Sequence, residues 1–244
     1  MGEYRPSQTM TQAPSLHDLN GVWVLDKHLS ANIPSILKLQ RLPFLLRKAI
    51  TSPSTPIHLH VTTYTTANPN GETKIHLDLI QRTPGLGLGL VPVIEDKRVL
   101  DWVEGWHEDL VFGKVRTRSR LVSGVKGNDK GGRKGRMRPD VGVCVSVKKE
   151  VEEGVGIFLR GERGIDDDGV LGGDVSKDEI DGEDGQFWVQ TLEINDKAGW
   201  SAETIWGFEM VDSARCLTSR VVAVDGKGNY QLGRCVFRLL SRGD

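Results

Sequence analysis

The chain has 244 residues, 38% of them hydrophobic, with 32 basic and 33 acidic side chains and a formal net charge of −1. That length allows one large β-barrel or two small domains, and the balanced charge disfavours a general nucleic-acid or membrane-surface binder, since both need a basic excess. No run of about 18 apolar residues is present to span a bilayer, and Cys144, Cys216 and Cys235 are too scattered for a disulfide framework or a CxxC metal site.

Residues 1–17 are polar and read as a disordered tail, with the ordered part over 18–244. The N-terminus holds no apolar stretch of a secretion signal, and Pro6 stands where the myristoylation pattern wants Ser or Thr, so a cytoplasmic protein with reduced cysteines is expected. LNGVWVLD reads as a short strand around Trp23. In SANIPSILKLQRLPFLLRKAI, Ser30 or Asn32 can cap a first helical turn with Pro34 near its start, and Pro43 opens a second segment. The pair is expected to form a helical lid, residues 33–50, over one mouth of a barrel.

From residue 56 the pattern turns to period two. Strands are expected at 57–67, 73–82, 98–103, 107–122, 141–148, 155–160, 186–194, 201–211, 215–224 and 229–240, joined mostly by hairpins. At Ala67–Asn68–Pro69–Asn70–Gly71, a three-residue loop with Gly71 in the left-handed bulge position places Ile57, Leu59 and Val61 on the face of Ile75, Leu77 and Leu79. A two-residue turn would move one apolar set into water, so the three-residue register is preferred. Insertions are expected near 123–140 and 161–185. The run 126–138 is basic and Gly-rich and 166–184 carries nine carboxylates against one lysine, the composition of solvated loops.

Several superficial motifs carry little. The run Gly85–Leu86–Gly87–Leu88–Gly89–Leu90 lacks the spacing and following helix of a nucleotide loop, and 166–184 lacks the ligand pattern of an EF-hand. His58 and His60 share a face with His76 on the next strand. In the chosen register His60 lies opposite Ile80, leaving His76 about 13 Å away along the strand, too far for one zinc ion. No metal is expected.

WHEDLVFGKVRTRSRL is the most chemical stretch. Val111, Gly113, Val115, Thr117, Ser119 and Leu121 share one parity, and carried back to its start it points His107 and Asp109 into the barrel. An imidazole oriented by a carboxylate is either a general acid/base near neutral pH or a structural pair at the rim. Trp is as frequent as Phe and twice as frequent as Tyr. Trp206 and Phe208 fall on the apolar parity of their strand, and the tryptophans together suit a cavity for a flat or greasy ligand. The last hairpin, turning at Asp225–Gly226–Lys227–Gly228, is expected to set Leu217, Ser219 and Val221 across from Tyr230, Leu232 and Val236. Arg234 would then lie on that inner face, meeting either a buried carboxylate or a ligand oxygen, and Cys216 and Cys235 would be outer-face neighbours.

A strand, two short helices and about ten antiparallel strands resemble the calycin superfamily, all-β barrels that include lipocalins and fatty-acid-binding proteins. More closely, LNGVWVLDKHLS, ILKLQ, LLRKAI, LDWVEGWHEDLVFGKV, RSR and AGWSAETIWGFEMV resemble a family of fungal cytosolic lipocalin-like proteins, a likeness that misses residues 123–185. Some proteins of this type act in tropolone sesquiterpenoid biosynthesis as intermolecular hetero-Diels–Alderases, joining a tropolone-derived o-quinone methide to humulene. The resemblance therefore implies a pericyclase that needs no cofactor, with small hydrophobic substrates as partners and neither nucleic acid nor membrane insertion; it leaves the oligomeric state open. In that reaction His107, oriented by Asp109, would supply the acid that generates the quinone methide. Arg234 or Tyr230 would polarise the tropolone oxygens, and Trp106, Trp206 and Phe208 would cradle the hydrocarbon. A carrier of a hydrophobic acid or terpenoid would need the cavity and Arg234 but not His107.

Overall fold

Period-two alternation builds one continuous sheet, and the stretches that break it become lids and covers. A computed structural model describes residues 19–83, 93–126, 137–166, 169–174 and 187–242. The expected tail, the Gly-rich run 85–90 and most of the runs 126–138 and 166–184 lie outside the described residues. In chain order the elements are β1 (Gly21–Leu25), α1 (Ile33–Leu39), α2 (Phe44–Thr51), β2 (His58–Ala67), β3 (Thr73–Arg82), β4 (Ile94–Val99), β5 (Gly105–Asp109), β6 (Gly113–Lys126) and β7 (Met137–Pro139). After α3 (Lys149–Leu159) follow β8 (Arg163–Ile165), β9 (Leu171–Asp174), β10 (Phe187–Asn195), β11 (Trp200–Val211), β12 (Ala214–Asp225) and β13 (Tyr230–Ser241).

The main sheet runs β4-β3-β2-β1-β13-β12-β11-β10-β6-β5 with β7 pairing off β6, and β8–β9 form a separate ribbon. Every pairing is antiparallel. The sheet curls until its ends meet: the Trp102 N–H beyond β4 donates to the Ser119 carbonyl of β6 at 2.8 Å, and Asp101 bridges Arg120. An all-β, barrel-like fold follows. Among the described residues no helix is long and apolar enough to cross a membrane.

The first hairpin has the register that burial demands. Val61 pairs Leu79, His60 pairs Ile80, and Asn68 N–H closes the three-residue loop on the Glu72 carbonyl at 2.9 Å. Gly71 sits at φ +81°, and a Cβ there would meet nothing within 4 Å. Gly71→Ala should therefore cost only the left-handed backbone strain, about 1–2 kcal/mol, measurable by denaturant unfolding.

The last hairpin obeys the same chemistry, which corrects the expected register. Asp225 N–H closes on the Asn229 carbonyl at 2.9 Å, and Gly228 takes the bulge position at φ +79°. The loop is thus three residues rather than four, and the one-residue difference exchanges the faces of β13. Ser219 pairs Cys235 and Arg220 pairs Arg234, so Cys235 and Phe237 face inward while Tyr230 and Arg234 face outward. Cys216 and Cys235 are on opposite faces of the sheet, not neighbours.

Other elements differ from expectation for identifiable reasons. The strand expected at 107–122 is a hairpin: Asp109 Oδ1 accepts from the N–H groups of Val111 and Phe112, and Gly113 turns the chain at φ +70°. The strand expected at 155–160 is instead the end of α3 and its C-cap Arg160, and Val151, Val155, Phe158 and Leu159 recur at helical spacing behind Glu150 and Glu152 in the first turn. The alternating valines of 141–148 form no strand, because the N–H groups of Cys144 and Val145 donate to the buried Glu203 carboxylate instead of to a neighbouring strand. Burial lifts the Glu203 pKa even against these bonds and that from Gln190.

This segment and α3 cover the outer face of the sheet. Val141, Val145, Val155, Phe158 and Leu159 pack on Trp188, Leu192, Ile205, Val222 and Leu232. The sheet is thus buried on both sides over β10–β13, and two segments expected as strands, 141–148 and 155–160, supply its cover. On the inner side Trp23, Leu59, Val61, Leu77, Val189, Phe208 and Leu217 fill one end of the barrel.

Candidate functional site

At the other end the inner face stays partly open, as a cavity of about 220 Å³. Its apolar wall includes Leu79, Val115, Trp200, Trp206, Val221 and Phe237, and α1 closes over it through Ile36 and Gln40. The lid is held by its first turn. Asn32 sits at φ +55° and makes no cap with its side chain, which donates instead to Gln231 Oε1 and the Leu232 carbonyl of β13 at 3.0 and 2.7 Å. A left-handed entry pins α1 to the barrel in place of an ordinary N-cap.

The polar wall comes from β4, β5 and β10. Asp96 and Arg98 alternate inward on β4, His107 and Asp109 on β5, and Glu193 on β10. Arg98 is held from all sides: Nε and Nη2 donate to Asp96 Oδ2, Nη2 to Glu193 Oε1 at 2.9 Å and Nη1 to Thr191 Oγ1 at 2.6 Å. Because β4 and β10 are not sheet neighbours, this guanidinium ties the two ends of the curled sheet together through the interior. Thr191 also hydrogen-bonds Ser119 at 3.1 Å.

His107 lies between two carboxylates. Nε2 is 3.3 Å from Asp109 Oδ2, and Nδ1 is 4.0 Å from Asp96 Oδ1 without a hydrogen-bond partner. Burial by itself would lower the His107 pKa, but Asp109, Asp96 and Glu193 outweigh it and raise it above the ordinary value. Burial works to raise the Asp109 pKa, and it is nevertheless held low by His107 and by the N–H groups of Phe112 and Val111. Burial lifts that of Glu193, against the pull of Arg98 and with Asp96 adding to the rise. The arrangement favours an imidazolium, a proton donor, beside a carboxylate of raised basicity.

Of the residues singled out in the sequence, His107, Asp109 and Trp206 come together here. Phe208 faces inward but packs on Trp23 in the filled end, with ring centroids 5.9 Å apart. Trp106 turns outward and is 55% exposed, with the Lys114 ammonium 4.3 Å over its ring, because its parity is opposite to that of His107. Tyr230 packs in the outer layer. Arg234 also lies there, 2.7 Å from Glu209 Oε2, beside Arg220, which grips the same carboxylate at 2.7 and 3.1 Å. Its partner is a buried carboxylate, not a ligand.

Asp96, Arg98, Glu193 and Cys235 were missed. In IEDKRV both parities are charged, so apolar alternation could not say which faced inward, and the expected strand began at Arg98 itself. The histidines His58, His60 and His76 hold no common point: His76 stacks on Tyr64 at 4.7 Å and bonds Thr66 Oγ1 at 2.8 Å. Among the described residues no group of three His, Cys, Asp or Glu side chains is arranged to hold a metal ion.

The cysteine geometry gives a direct test. All three are free thiols, and burial pushes the Cys235 pKa up to about 11. Cys235 in the folded protein should alkylate slowly at neutral pH, whereas denaturation without reductant should leave all three cysteines labelled by mass spectrometry. A protected Cys216–Cys235 pair would contradict their placement on opposite faces.

No protein-family model matches the chain, and neither a curated protein nor a solved structure shows significant similarity to it.

Proposed function

We propose that the chain binds small, largely apolar molecules in this cavity and acts there as a pericyclase, a hetero-Diels–Alderase of calycin-like fold joining a tropolone-derived o-quinone methide to a terpene such as humulene. The observation that carries the reading is a largely enclosed, carboxylate-flanked His107 in the polar wall of a mainly apolar cavity. Quinone methide formation is a loss of water: the departing hydroxyl takes a proton from His107, and the ring hydroxyl returns one to the imidazole. Cycloaddition then needs the two partners held together and the quinone methide oxygen polarised.

Three donors support that polarisation. Trp200 Nε1, Trp206 Nε1 and His107 Nδ1 are buried without hydrogen-bond partners, in residues that line the cavity. They take the part first given to Arg234 and Tyr230, while Val115, Val221 and Phe237 provide the surface for the hydrocarbon. A carrier of a hydrophobic acid has less support, because Arg98, the cation in the wall, is already held by two carboxylates.

The test is incubation of pure protein with a hydroxymethyl tropolone precursor and humulene. Faster formation of one stereoisomer than in buffer supports the proposal. Product at the spontaneous rate and stereochemistry refutes it.

A further inference from the structure

We infer that the polar wall of the cavity is a subsite for a positively charged group, and that it takes a compact hydrophobic amine in preference to a carboxylate of the same shape. This rests on the reading that the cavity is the ligand site, but not on the reaction proposed for it.

Three carboxylates, Asp96, Asp109 and Glu193, face two basic groups, Arg98 and His107. Among the described residues the charged side chains lining the cavity are Asp96, Arg98, His107 and Glu193, with Asp109 against His107, and with the three carboxylates ionised this group is anionic whether His107 is charged or neutral. Arg98 has its donors engaged by Asp96, Glu193 and Thr191. On the ionic side of the wall, what remains unsatisfied beside the His107 Nδ1 donor is acceptor capacity. Asp96 is 6% exposed, yet its Oδ1 has no hydrogen-bond partner, and the contacts of Glu193 involve Oε1 alone.

Aromatic faces adjoin these carboxylates. Glu193 pairs with Ala202 across β10–β11, which puts Trp200 at the next inward position, and Phe112 meets Trp200 edge-on at 5.8 Å. An ammonium ion entering here gains a carboxylate partner and an indole face in a medium of low dielectric. A carboxylate entering the same place can take the neutral indole N–H groups and His107 Nδ1, but it loses its hydration, meets Asp96 and Glu193 as like charges and finds no uncommitted guanidinium. An alcohol lies between the two.

The probes are 1-adamantanamine, 1-adamantanol and adamantane-1-carboxylate, one rigid cage with three head groups. Each is titrated into the full chain at pH 7 and read by tryptophan fluorescence and calorimetry. The amine should bind about tenfold or more tighter than the alcohol, and the carboxylate at least tenfold weaker than the alcohol. Glu193→Gln should bring the amine to within a few-fold of the alcohol while leaving the alcohol unchanged, which also reports an intact cavity. Carboxylate binding equal to that of the amine overturns the inference. So does an amine advantage that survives in both Glu193→Gln and Asp96→Asn. Alcohol binding without preference for the amine overturns the charge subsite alone. Failure of all three probes to bind overturns the cavity reading with it. Amine preference without turnover in the cycloaddition assay supports the subsite and refutes only the reaction.

Discussion

In the proposed cycloaddition, replacing His107 with Ala is expected to slow product formation by about 10²-fold or more while binding of the hydrocarbon partner hardly changes. A positioned general acid is worth that much, and His107 meets the requirement through two carboxylates that favour its charged form. The direction of the pKa shift sets the pH dependence. The imidazolium persists above the ordinary histidine value of about 6.5, so in the proposed reaction turnover should extend above that value and fall as pH rises through the raised His107 pKa. Asp109→Asn keeps an oxygen for the turn N–H groups of Val111 and Phe112 but removes a charge from His107. Its rate should fall earlier, at lower pH, in a kcat–pH profile. A merely structural pair would lower activity without moving that profile.

Glu209→Leu is expected to destabilise the fold by about 3–5 kcal/mol, because it leaves Arg220 and Arg234 charged and without their carboxylate in the outer layer. Arg220 also donates to the carbonyls of Phe158 and Arg163 at 3.4 and 3.1 Å, so loss of its counterion should loosen the whole outer layer. Replacing Glu209, Arg220 and Arg234 together by apolar residues of similar size should cost far less. Burial pushes the Glu209 pKa up, but the two arginines outweigh it and hold it below the ordinary value. The stability it contributes is therefore present above that ordinary value and lost as pH falls through the depressed one. Urea unfolding across the acid range should show the wild type losing stability towards low pH and Glu209→Leu losing less.

The sequence by itself determined the inner face wherever one parity was apolar and the other was not. Leu59, Val61, Leu77 and Leu79 required the three-residue loop at Gly71, whereas His107 and Asp109 reach the inner face across a turn that breaks the alternation, because β5 pairs β6 with His107 opposite Val115. The two helices after the first strand were legible for the same reason, from Pro34, Pro43 and the apolar spacing between them. Tertiary structure decided everything that depended on which element covers which. Val155, Ile157 and Leu159 fit a strand while Val155, Phe158 and Leu159 fit a helix, and the outer sheet face that takes the second set selects the helix. The valines of 141–148 alternate as a strand does, but Glu203 claims their N–H groups. Asp96, Arg98 and Glu193 carry no apolar signal, and Arg234 changes face with one residue of loop length. Arg98 inside the barrel is held by Glu193, a partner distant in sequence on a strand that is not its neighbour, and that pairing exists only once the sheet has curled.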